Sequence, residues 1–299
     1  MMDESGTPEL KPLAPGLYLV ATPIGNLEDI TLRALRVLKS VDRIACEDTR
    51  QTQKLLNHFC ITTPTLSVHE HNEAVRAGEL VEELRAGGRI AVVSDAGMPG
   101  ISDPGMFLVN AAVETGVAVY PVPGANAALS ALVASGLSIE QFLFLGFLPS
   151  KASARQARLV EVRARLEQPI TVVFYEAPHR ILETLADVEA VWGAACRVVL
   201  ARELTKIHEE FLRGTVSEVR ADLAGRDRVR GEMVLLVEAL PLVAVSATGA
   251  VPLRERLAEL EKAEGLDEMD ALKRIARERG VSKSELYREL QRSRSKKRG

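Results

Sequence analysis

The stretch Arg89–Gly105, RIAVVSDAGMPGISDPG, decides how the chain is read. An apolar run ends in Ser94 and Asp95, and a loop carrying Gly97, Gly100 and Gly105 follows. A short apolar run bounded by turn residues reads as a buried strand, which makes Arg89–Ser94 a strand and places the glycines at its carboxyl end. Ligands of open α/β sheets sit at such ends. Glycine lets backbone N–H and C=O groups approach a ligand closely, and Asp95 accepts hydrogen bonds from hydroxyl or ammonium groups. The plainer alternative is an ordinary turn in which Asp103 caps the next helix.

The same order of strand, glycine turn and helix start occurs twice more. Tyr120–Ala128, YPVPGANAA, carries Gly124 and Ala125, and YLVATPIGNLEDITLRAL sets Pro23, Gly25 and Asn26 between a strand and a helix opened by Thr31. Two such loops facing each other would hold one ligand; a plain hinge, or helix caps at Asp29 and Thr31, is the alternative. A single glycine in place of G-x-G-x-x-G disfavours a nicotinamide oxidoreductase.

Outward from these loops, apolar runs alternate with amphipathic stretches, the pattern of parallel strands joined by crossover helices, so the class is α/β. Strands are expected at Gly16–Ala21, Arg43–Cys46, Arg89–Ser94, Ala118–Pro121, Phe142–Gly146, Ile170–Tyr175, Arg197–Arg202 and Met233–Glu238. Helices are expected at Thr31–Ser40, Asn72–Arg85, Ala152–Leu166 and Arg180–Val191. With 299 residues and 46% hydrophobic content, the chain suits two medium domains and an appendage. We divide it into a loose tail (1–15), two α/β domains (16–123 and 124–240), a linker (241–252) and a basic helical unit (253–299).

The opening MMDESGTPEL lacks the basic-then-apolar order of a secretory signal, and the most apolar stretches are too short and interrupted to span a bilayer. A cytoplasmic chain without a membrane partner is expected. Three scattered cysteines, Cys46, Cys60 and Cys196, indicate neither a disulfide framework nor a zinc knuckle. His69 and His71, two apart, would share one face of an extended segment, but no further ligands have suitable spacing, so no metal is expected.

The net charge of -3 hides an asymmetry: residues 271–299 carry 11 Lys and Arg against 3 Glu, or +8, leaving -11 for the rest. Such a basic end points toward nucleic acid. Its sequence DALKRIARERGVSKSELYRELQR resembles a helix-turn-helix, with Lys273, Lys283 and Arg288 available to phosphates; a packing or dimerisation unit is the alternative. Three charged clusters also follow expected strands: Glu47, Asp48 and Arg50; Glu176, His179 and Arg180; Arg202, Glu203 and Lys206. His179 and Arg180 open a helix whose amides would assist phosphate binding. Mutual surface salt bridges are the bland alternative.

TPIGNLEDIT, ACEDTR, HEHN, SDAGMPGISDPG, FLPSK, FYEAPHR and RELTK occur in this order. Together they resemble the tetrapyrrole methylase family, in its RNA-modifying branch, because TPIGN replaces the glycine-rich first motif of the porphyrin-modifying members. The resemblance implies a class III methyltransferase fold with the active site in a cleft between two α/β domains, and a homodimer. It further implies S-adenosyl-L-methionine as donor and 2′-O-methylation of a cytidine in the decoding region of 16S ribosomal RNA. Donor contacts are expected at Pro23, Gly25, Asp95, Gly97, Met98, Gly100, Ile101, Ser102, Gly124 and Ala125. Glu47, Glu176 and Lys206 are candidates for proton acceptor or orienter, with Arg50, His179, Arg180 and Arg202 on the RNA side. A tetrapyrrole or protein side chain as acceptor, and a non-catalytic ribosome-assembly factor, are the rival expectations.

Overall fold

The computed structural model of the chain describes residues 12–69, 72–101, 106–242, 253–264 and 267–279, with the single positions Leu286 and Leu290. Ser102, Asp103, Gly105, His71, Lys283, Arg288 and most of the expected tail and linker lie outside the described residues. Two compact units are present, residues 1–241 and 242–299.

The first half of the larger unit runs β1 (Gly16–Val20), α1 (Leu32–Ser40), β2 (Arg43–Cys46), α2 (Thr49–His58), β3 (Thr65–Ser67), α3 (Glu73–Arg85), β4 (Arg89–Val93), α4 (Met106–Glu114) and β5 (Val119–Val122). Its five strands pair in parallel in the order β3-β2-β4-β1-β5. Successive side chains of a strand point to opposite faces. Tyr18, Val20, Ile44, Ala91 and Val93 accordingly pack with Val37, Leu38 and Leu56 of α1 and α2. Leu17, Ala45, Ile90 and Val92 pack on the other face with Leu80, Leu84 and Leu108 of α3 and α4. Because both faces are covered, these strands read as continuous apolar runs. Thr31 caps α1, its hydroxyl accepting from the Ala34 N–H at 3.0 Å, and Asp48 caps α2.

The second half runs α5 (Ala127–Ser135), β6 (Phe142–Phe147), α6 (Ala152–Arg165), β7 (Ile170–Glu176), α7 (Ile181–Trp192), β8 (Arg197–Arg202), β9 (Glu210–Thr215), α8 (Val216–Ala224) and β10 (Met233–Ala239). The strand order is β6-β7-β10-β8-β9. Here the expectation of parallel strands is corrected: only β6 and β7 pair in parallel, and β10 runs antiparallel to both of its neighbours. The reason is connection length. A parallel return needs a crossover of about a dozen residues or more, whereas β8 and β9 are joined by residues 203–209 alone and therefore form an antiparallel pair. Strand β9 escaped the sequence reading because its edge position leaves EFLRGT only partly buried and half polar.

Helix α5 covers one face of this sheet through Ala131 and Leu132 against Val173, Val199 and Leu236. Helices α6, α7 and α8 cover the other through Leu159, Leu185 and Val219. Arg155 of α6 is 1% exposed and lies within that layer, bonded to Asp187 Oδ2 of α7 at 2.6 Å and to Glu183 at 3.2 Å. Removing one partner of such a buried pair typically costs about 3–5 kcal/mol.

In the smaller unit, α9 (Leu253–Glu264) and α10 (Glu268–Arg279) pack through Leu257, Leu260, Leu272 and Ile275, joined by Leu286 and Leu290. Among the described residues no helix is long and apolar enough to cross a membrane.

Candidate active site

Three loops meet at the carboxyl ends of β1, β4 and β5. Thr22 and Gly97 exchange two backbone hydrogen bonds, Thr22 N–H to Gly97 O at 2.9 Å and Gly97 N–H to Thr22 O at 3.0 Å. The Thr22 hydroxyl donates to Ser94 O at 3.1 Å, and the Ser94 hydroxyl donates to Gly97 O at 3.0 Å. Gly97 has φ of +81°, where side-chain-bearing residues are strained, and a Cβ there would stand 3.3 Å from Ile24 Cγ2 and 3.6 Å from Ala125 O. Gly124 packs equally tightly, since a Cβ would come within 2.9 Å of Ala21 Cβ. The three glycine turns read from the sequence therefore form one contiguous surface.

That surface is one wall of a cavity of about 340 Å³ between the two sheets. The wall consists of Ile24, the segments 95–98 and Ile101, and Asn126 and Ala127 at the start of α5. The opposite wall comes from the second sheet: Phe147, Tyr175, Glu176, Ala177, Pro178, Ala201, Leu204, Glu232, Met233 and Val234. An apolar slot with a few polar groups is the usual form of a small-molecule site. At the end of β2, Cys46 is buried; burial pushes its thiol up, and the negative charges of Asp95 and Asp48 add to the rise.

Of the residues expected to contact a cofactor, Asp95, Gly97, Met98 and Ile101 line the cavity, while Pro23, Gly25, Gly100, Gly124 and Ala125 do not line it. Glu47 is exposed at the end of β2 and does not line the cavity; its main-chain carbonyl accepts from the Ser67 hydroxyl. Arg50 is 87% exposed and chelated by Asp48. Glu176 does line the cavity, but its carboxylate already accepts four hydrogen bonds: from Ala177 N–H, from Nε and Nη2 of Arg180, and from the Thr184 hydroxyl.

Arg180 is correspondingly 14% exposed, and His179 beside it is exposed. Arg202 is bonded to Glu210 at 2.9 Å and to Arg230 O. Hydrogen bonds from Arg226 hold the Glu210 carboxyl at about 2 despite its burial, with Arg202 assisting. Carboxylates of the same chain thus take up the guanidinium groups of Arg180 and Arg202.

Sequence reasoning missed most of the second wall. Ala201, Leu204, Met233 and Val234 look like core residues until the sheets are set face to face. Phe147 and Tyr175 lie inside FLPSK and FYEAPHR, yet only the charged members of those motifs drew attention; the two rings pack edge to face at 5.6 Å, and Phe147 is 57% exposed.

Residues 16–220 match the sequence profile of the family described as Tetrapyrrole (Corrin/Porphyrin) Methylases. The chain belongs to this family. It is 47% identical over 279 residues, 91% of this chain and 93% of the relative, to a Ribosomal RNA small subunit methyltransferase I of Halalkalibacterium halodurans. With the protein of the same name from Vibrio cholerae it shares 53% identity, over 75% of this chain and 77% of the relative. Among solved structures, Uroporphyrin-III C-methyl transferase from Thermus thermophilus, complexed with S-adenyl homocysteine, superposes with a TM-score of 0.52 at 17% identity, covering 75% of this chain and 98% of that one. That likeness speaks for the fold alone.

In this family member the segment joining β8 to β9 ties the two walls together. Glu203 and Thr205 have φ of 51° and 65°, a left-handed conformation rare for a β-branched residue. The Glu203 carboxylate accepts from Lys206 Nζ and from the Glu232 N–H, both at 2.9 Å, and Thr205 N–H donates to Glu209 at 2.7 Å. Lys206 Nζ also donates to Glu232 Oε2 at 3.0 Å. Its alkyl stem lies over Gly25, where a Cβ would come within 2.5 Å of Lys206 Cγ. Burial works against the charge of Lys206, but the hydrogen bonds it donates to Glu203 and Glu232 outweigh it and hold the ammonium above the usual lysine range. Of the two roles expected for Lys206, this geometry suits the orienter. Gly25→Ala should cost about 1–3 kcal/mol in urea unfolding through overpacking. In a Lys206→Ala background the same change should be nearly neutral, a non-additivity that reports the contact.

Proposed function

We propose that this chain transfers a methyl group from S-adenosyl-L-methionine to the 2′-hydroxyl of a cytidine in the decoding region of 16S ribosomal RNA. The observation that carries this reading is the fusion of the glycine loops into one wall of a half-open, largely apolar cavity. The cavity suits the donor: it falls in the range of roughly 300–1,000 Å³ of small-molecule sites, and the bare Gly97 and the acceptor Asp95 stand where an adenosyl and amino acid chain needs close backbone and a polar partner. Asp95, Gly97, Met98 and Ile101 would hold it, with the backbone around Ala125 closing the side. The bound donor supplies an electrophilic methyl on a sulfonium. The names of the relatives supply the acceptor class, ribosomal RNA of the small subunit.

The chain's main contribution is alignment. Holding two reactants in line is worth on the order of 7–11 kcal/mol, whereas a general base typically adds about 10² to 10⁴-fold, roughly 3–5 kcal/mol. Glu176, gripped by four donors, fixes the Ala177–Pro178 wall, and Lys206 fixes the opposite rim. On the RNA side, Arg50 and His179 are exposed, and the basic end with Lys273, Lys283 and Arg288 supplies phosphate contacts. An enzyme acting on ribosomal RNA works in the cytoplasm. Large apolar side chains exposed on α4 and α5, among them Phe107, Val113 and Val133, support a homodimer, since such surface is normally covered.

Tritiated methyl transfer from the donor to purified small subunits tests the reading directly. Asp95→Ala should weaken donor affinity in calorimetry by tenfold or more, the worth of one hydrogen bond to a charged group at about 1.5–3 kcal/mol. A chain ending at residue 241 should bind the donor within twofold of the full chain, yet bind 16S ribosomal RNA more weakly and with a shallower dependence on salt. In sedimentation, the full chain should run at twice its mass of 32.5 kDa.

A further inference from the structure

Three carboxylates line the cavity among the described residues: Asp95, Glu176 and Glu232. Their surroundings assign them different work. Glu176 has a fully buried side chain whose carboxylate accepts three hydrogen bonds at Oε1 and one at Oε2 from the chain itself. Asp95 follows β4 on the glycine-loop wall, with Gly97 and Met98. Glu232 stands on the other wall with its side chain 75% exposed, and only its Oε2 is engaged, by Lys206 at 3.0 Å. Among the described residues no group donates to its Oε1.

The main chain that carries this carboxylate is held firmly. Its N–H is bonded to Glu203 Oε1 at 2.9 Å, and the preceding Gly231, at φ of +93°, packs so closely on Glu203 that a Cβ would lie 2.5 Å from its Cγ. Lys206, which grips the other oxygen, is itself seated on Gly25 in the loop after β1. A fixed anion with one oxygen committed and one open, at the rim of a methyl-transfer cavity, is suited to a neutral donor such as a sugar hydroxyl.

We infer that Glu232 receives the hydrogen bond of the acceptor 2′-hydroxyl and takes its proton during transfer, with Lys206 as the positioning residue. The inference rests on the methyl-transfer reading above. As the hydroxyl oxygen bonds to the methyl carbon, the carbon–sulfur bond breaks and its electron pair remains on sulfur. The hydroxyl proton passes to Glu232 and from there to water, which restores the carboxylate. Lys206 keeps its own proton throughout.

The test uses the full chain and small subunits from cells lacking this methylation. Glu232→Gln should lower the single-turnover rate at saturating subunits by about 10²-fold, Glu232→Asp should fall between the two, and donor affinity in calorimetry should stay within twofold. A second readout needs no turnover. With S-adenosylhomocysteine present, the wild-type chain should bind unmethylated subunits more tightly than methylated ones, and Glu232→Ala should reduce that preference about tenfold. An unchanged rate, an intact preference, or a tenfold loss of donor affinity would each overturn the assignment. If the wild-type chain binds the donor but transfers no methyl to small subunits, the functional reading itself falls and Glu232 loses this role with it.

Discussion

The pair of backbone hydrogen bonds between Thr22 and Gly97 is the constraint on which the site depends. It joins the loop after β1 to the loop after β4, two strands adjacent in the sheet but far apart in sequence. Only a residue at ease with positive φ can make the turn at position 97, and only one without a side chain leaves room beside Ile24 and Ala125. The hydroxyls of Thr22 and Ser94 then add hydrogen bonds to Ser94 O and Gly97 O, which lie in the buried turn. Given this weld, the remaining wall has only to face it, and the β8–β9 connection does so by laying Lys206 across Gly25.

The second sheet manages charge differently. Along its edge, cations and carboxylates occur in closed groups: Glu176 with Arg180, Glu210 with Arg202 and Arg226, Lys206 with Glu203 and Glu232. Charges engaged in this way give stiffness instead of attraction for a distant polyanion, because each positive field is cancelled close to its source. Positive charge in excess is left to the basic end of the chain, residues 271–299, which suits a polyanion.

Much of this was legible in the sequence, for reasons that can be named. The bounds of β2 and β8 follow directly from RIAC and RVVLAR, whose apolar runs leave no other choice, and Thr31 marks the start of α1 as a cap should. Glycines at 97 and 124 announced close approach. Strand direction was not legible, since an apolar run carries no sign of whether its neighbour runs with it or against it; the seven residues between β8 and β9 decided that. The apolar wall was hidden because Ala201 or Met233 at a strand end has the composition of core. The ion pair of Arg180 was not legible because a residue four positions from Glu176 can turn either outward or back upon it, and only packing selects.

Burial pushes the Cys46 thiol up, with the charges of Asp95 and Asp48 adding to the rise. Sulfur is a far better nucleophile as thiolate than as thiol. A reactive thiolate lining a pocket built for an alkylating reagent would invite the protein to consume its own reagent and block itself. Buried at the end of β2 and not among the residues that line the cavity, Cys46 supplies compact packing without becoming a competing target.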